Sequence, residues 1–170
     1  MARDRAGGVP SPLLPIEQVE HVLVESLGDL GAVGGAVGGG IGGGWAGRLS
    51  GASGGRTGGR AGARYLTRMD GDQRTLHIDR SEALLHAVRV GFFAGRAQER
   101  RGALPGASAD AVQMVGVVGS GALSMNPCVV QLVWFPHELH ATAHAREGLI
   151  KQRTCAKALE RLASTLGLPA

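Results

Sequence analysis

Apolar residues recur at helical spacing near the start of the chain. Ile16, Val19, Leu23, Leu27 and Leu30 fall along one stripe, with Glu17, Glu20 and Glu25 elsewhere around the turn. Pro15 suits a first helical turn, where its missing N–H costs nothing. The spacing predicts an amphipathic helix over 15–30, after a disordered stretch over 1–14. The stripe then runs into residues 31–68, where the apolar pattern gives way to glycine and arginine.

Beyond Met69 a globular pattern starts. Thr75 to Ile78 reads as a short strand. Asp79-Arg80-Ser81-Glu82 reads as a capping box with Asp79 as N-cap, opening a helix with Leu84, Leu85, Val88 and Phe92 on one side and Gly95 as its stop. Residues 96–110 read as polar loop. VQMVGVV (112–118), CVVQLVWF (128–135) and ELHATAHA (138–145) read as strands. With Pro136 and His137 as the turn, Val130, Leu132 and Trp134 share a face with Leu139, Ala141 and Ala143. Gln131, Glu138, His140, Thr142 and His144 take the other face, so both strands agree on which side is buried. After Gly148, the run to Gly167 carries Cys155, Leu159, Leu162 and Leu166 on one helical face. The predicted fold is α+β: a small antiparallel sheet of three to four strands with two helices on one face over 69–168, preceded by the N-terminal helix and the glycine-rich segment.

Composition sharpens the middle block. Of the 33 residues from 31 to 63, 16 are glycine. Glycine stands at 31, 35, 39, 43, 47, 51, 55 and 59 without a miss. That period matches the small-xxx-small rule for close helix packing, and the segment resembles a glycine zipper, a motif and not a family. Two physical costs oppose it. Glycine loses ~1 kcal/mol per residue against alanine within a helix, about 10 kcal/mol for the glycines of residues 30–47. A four-residue step also turns a helix by about 400°, so a stripe drifts ~40° per step. Four or five glycines share a face, which limits one packed stretch to Gly31, Gly35, Gly39, Gly43 and Gly47, the candidates for self-association. Leu30 to Gly47 is also charge-free and long enough to enter a bilayer as a single pass or an inserted hairpin, with arginines on one side only, which by the positive-inside rule places the following domain in the cytoplasm. A flexible linker is the third state open to so glycine-rich a chain.

Charge is uneven. Residues 1–29 carry a net −3, residues 30–69 five arginines and no acid, and residues 70–170 a net +2. Arg56, Arg60, Arg64 and Arg68 are therefore the candidate anion-binding residues, for anionic lipid headgroups or, with poor stacking from Tyr65 alone, for nucleic acid. The two cysteines form no disulfide framework, and the first residues lack the apolar run of a secretory signal. The expected location is the cytoplasm, at the inner face of a membrane.

Catalytic motifs fail on geometry. Gly119-x-Gly121 follows a strand, but Ser124 replaces the third glycine and Pro127 leaves no room for a phosphate-binding helix. FPHELHATAH (135–144) is not H-E-x-x-H, and on a strand His140 and His144 lie ~13 Å apart, too far for one zinc. Glu147-Gly148 with Lys151 and Arg153 resembles an anion site at a helix start. Cys128 and Cys155 sit in apolar settings that raise a thiol pKa, and Ser120 lacks a G-x-S-x-G. No cofactor, metal or enzymatic activity is expected. The expected function is self-association as a homo-oligomer, or tethering, through the glycine-rich segment at a membrane. The alternative is a basic module binding nucleic acid or anionic lipid.

Overall fold

Fifty-one residues, Ile16–Leu66, are helical, and the glycine-rich segment belongs to that helical run. The computed structural model describes residues 14–101, 110–120, 126–148 and 152–169. The expected disorder over 1–14 and the Gly121–Ser124 part of the dinucleotide-like motif lie almost wholly outside them. The helical segment, α1, breaks once, at Gly44 (φ 59°, ψ −145°). Only glycine adopts that conformation without strain. The chain reverses there, giving a first arm over 16–43 and a second over 45–66. Leu30 to Gly47 therefore does not run as one straight helix.

The strands are β1 (Arg68–His77), β2 (Gln98–Arg101), β3 (Val112–Ser120), β4 (Asn126–Trp134) and β5 (Glu138–Glu147). They form one five-stranded antiparallel sheet in the order β1-β5-β4-β3-β2. The expected three to four strands become five because β2 forms within the polar 96–110 stretch. Its QERR sequence has no apolar alternation, since it is an edge strand. The β4–β5 register is the one the apolar pattern demands: Trp134 faces Leu139, Leu132 faces Ala141 and Val130 faces Ala143. The Phe135 N–H donates to the Glu138 carbonyl at 2.8 Å, leaving Pro136-His137 as the turn.

One sheet face is covered by α2 (Glu82–His86), a π-helical turn (Ala87–Phe92) and α3 (Thr154–Thr165). Leu85, Val88, Phe92, Cys155, Leu159 and Leu162 pack there on Met114, Val130, Leu132, Trp134 and Leu139. Gly116 is a glycine because Phe93 lies on it: a Cβ there would sit 2.6 Å from the phenyl Cδ1. The α2 N-cap is Ser81, whose hydroxyl accepts from the Leu84 N–H at 3.2 Å. The expected cap, Asp79, instead binds the His137 ring at 2.6 Å.

The other sheet face is covered too. Val19 and Leu23 of α1 pack on Val115 and Val129, with Leu14, Val22 and Met69 around them. Helices on a single face therefore become helices on both. The alternation did not reveal this, because the second face is buried through two valines and a polar clamp. Gln131, only 3 % exposed, accepts from the Leu14 N–H at 2.7 Å and donates back to the Leu14 carbonyl.

Candidate functional site

The glycines that set the four-residue period face one another across the hairpin. Gly31 opposes Gly55, Gly35 opposes Gly51 and Gly39 opposes Gly47. In each pair a Cβ on either residue would collide with the other's carbonyl oxygen. Backbones this close permit Cα–H···O contacts, which rationalise the repeated pairing. The drift of a glycine stripe limits how many such residues one helix can align. The reversal at Gly44 evades that limit by giving the first arm three and the second arm four, since Gly59 packs on the backbone of Leu27 and Gly28. Of the candidate self-association residues, Gly31, Gly35, Gly39 and Gly47 are thus engaged within the chain, while a Cβ at Gly43 would meet open space.

Arginine stems extend the seam. A Cβ at Gly28 would lie 2.7 Å from Arg60 Cγ, and one at Gly40 2.7 Å from Arg48 Cγ. At the base Arg60 pairs with Glu25, and Arg56 with Asp29 at 2.9 Å. Two of the four candidate anion-binding arginines therefore face acids of the first arm. Arg64 presents its carbonyl to Arg146, and Arg68 opens β1 opposite Glu147. Arg64 and Arg68 are thus placed by their backbones, and neither has an ion pair among the described residues.

Arg146, on the α1 side of β5, joins both arms to the sheet. Its guanidinium bonds Glu20 of the first arm, the Thr67 hydroxyl at 2.9 Å, the Thr67 carbonyl at 3.2 Å and the Arg64 carbonyl at 3.4 Å. Sequence reasoning missed it. The available signal was its place in the ELHATAHARE alternation, on the side opposite the alanines.

Beyond this base the hairpin leaves the sheet. Val33, Val37, Ile41, Trp45 and Leu49 are all exposed, Ile41 at 86 % and Trp45 at 77 %. Between the level of Asp29 and Arg56 and the turn, the one charged residue is Arg48, which has no ion pair among the described residues. The hydroxyls of Ser50, Ser53 and Thr57 donate to the carbonyls of Gly47, Ser50 and Ser53, three or four residues back. Their polar groups are thereby satisfied without water.

Chemistry elsewhere is sparse. A groove of about 680 Å³ runs between the first arm and β3, lined by Leu30, Val33, Phe93, Val117, Arg96 and Arg161. Arg161 is spent on the carbonyls of Phe92, at 2.6 Å, and Gly119, at 3.2 Å. His140 and His144 both lie on β5, as a strand. No cluster of three metal-ligating side chains forms among the described residues. Burial lowers the His144 pKa. A hydrogen bond with Cys155, then burial, pushes the Cys128 thiol up, the reverse of an activated nucleophile. Of the anion site expected at this helix start, Lys151 lies outside the described residues, and the start of α3 receives its own chain's anion: Glu147 accepts from the Thr154 N–H at 2.6 Å and the Gln152 N–H at 3.2 Å.

The architecture is α+β: two long N-terminal helices packed together, a five-stranded antiparallel sheet and a C-terminal helix. Comparison with protein families, curated proteins and solved structures finds no match.

Proposed function

We propose that this protein is a non-enzymatic tether whose glycine-packed hairpin attaches the α+β domain to a membrane surface at the cytoplasmic face. The observation that carries this reading is the run of exposed apolar side chains, Val33, Val37, Ile41, Trp45 and Leu49, on the part of the hairpin that leaves the sheet. Exposed apolar surface gathered on one projection, with every charge but Arg48 held at its base, suits a bilayer better than water. The window within Ile16–Ile41 is apolar enough for a membrane by composition. Its lower half is committed to the sheet through Val19 and Leu23, so the tip is the part free to enter lipid. Self-association is served less well, since the zipper glycines already face their own second arm.

Flotation of the full chain with phospholipid vesicles tests the reading. The wild-type chain rises with the vesicles, and Ile41→Glu with Trp45→Glu stays at the bottom while melting at an unchanged temperature. A wild-type chain that stays at the bottom and sediments as a dimer favours self-association instead.

A further inference from the structure

Resting on the tether reading, we infer that the hairpin tip enters only the outer part of one monolayer of an anionic phospholipid bilayer, and that Arg48 sets its depth by binding a lipid phosphate. Arg48 lies four residues beyond the turn at Gly44, about 6 Å along the arm at ~1.5 Å per residue. Ile41 and Trp45 stand between it and the end of the hairpin, while Val37 and Leu49 lie at its own level, because Gly39 opposes Gly47.

Length and charge agree on shallow entry. From Asp29 to the turn the first arm measures about 21 Å at ~1.5 Å per residue. A hydrocarbon core is ~30 Å thick, so the hairpin cannot reach across it. Insertion to the level of Asp29 and Arg56 would carry Arg48 deep among the acyl chains, where a charged side chain is costly. With Arg48 at the phosphates, Ile41 and Trp45 reach the acyl boundary, and an indole is well placed there.

Charge complementarity selects the lipid. Glu25 and Asp29 neutralise Arg60 and Arg56 at the base. Residues 30–69 contain no acid to repel an anionic headgroup or to compete for Arg48. The Arg48 stem rests on Gly40, which directs it along the seam and leaves the guanidinium without an ion pair among the described residues.

The test uses the full chain and vesicles of equal parts phosphatidylcholine and phosphatidylglycerol, beside phosphatidylcholine alone. Trp45 fluorescence is taken as the difference between wild type and Trp45→Phe, so buried Trp134 stays unaltered. Lipids brominated near the headgroup should quench that signal, and lipids brominated near the chain end should leave it. Arg48→Gln should weaken binding to the anionic vesicles about fivefold, the worth of one arginine near an anionic surface, and Arg48→Lys should restore most of it. Quenching from the chain end, or binding that ignores both Arg48→Gln and the anionic lipid, overturns this inference and leaves the tether standing. Absence of binding to either vesicle overturns both.

Discussion

Glycines that look equivalent in the sequence have opposite roles. Gly35 meets the Gly51 carbonyl, whereas Gly38 faces open space. Alanine raises helix propensity at both by up to ~1 kcal/mol. At Gly35 the added methyl must push the arms apart, a cost of roughly 1–3 kcal/mol for overpacking. Amide exchange over residues 30–60 should therefore speed up in Gly35→Ala and slow down in Gly38→Ala. Equal protection in the two variants would refute the paired seam. The four-residue period was legible in the sequence. That period already marked Gly35 and Gly39, not Gly34 and Gly38, as the packed members; that they pack on a second arm of the same chain was not legible, because one glycine among sixteen carries no mark of the reversal at Gly44. His144 gives a second residue-scale expectation. Burial depresses its folded pKa, so the neutral ring is the form the fold prefers. The unfolded state binds the proton first as pH falls through ~6.5. Stability should decline from there down to the folded pKa and level off below it. Denaturant titration across that range reads the slope, and His144→Leu should flatten it. An unchanged slope in the variant would assign the effect elsewhere.

Elements were legible where a burial pattern wrote them. The β4–β5 register followed from two strands that agreed on a buried face, and each expected pair is observed. The π-helical turn at Ala87–Phe92 and the edge strand β2 left no such trace. The hairpin was the hardest element to foresee. Its helices run against intrinsic propensity and form because close backbone contact offsets a cost that local reasoning counts in full. Its attachment depends on Arg146, whose side chain is 6 % exposed. Removing the guanidinium leaves Glu20 and two carbonyls short of a donor, a loss of about 2–3 kcal/mol. Arg146→Ala should therefore free the hairpin base to exchange while the β3–β4 amides stay protected. Uniform loss of protection across the sheet would mean that the two units unfold as one.

At the scale of the whole molecule, three layers stand together: a helical layer on one face, the sheet, and the hairpin base on the other. The sequence divides at Met69, yet the first arm completes the core of the domain that follows. Leu14 and Leu23 reach β4 across more than a hundred residues of chain. Distant covering of this kind cannot be read from periodicity, since Val115 and Val129 look the same whether water or a helix lies above them. The tip contributes nothing to that core, and burying Ile41 and Trp45 in a bilayer gains about 3–6 kcal/mol at ~1.5–3 kcal/mol per side chain. That gain depends on both side chains being held at one end of a closed hairpin. The most direct measurement is therefore the separation of spin labels at Val33 and Ser53 in the full chain, with Cys128 and Cys155 replaced by alanine. A closed hairpin gives one short, narrow distance, in water and on vesicles alike. A broad distribution centred near 25 Å, the span of about twenty residues of flexible glycine-rich coil, would contradict it.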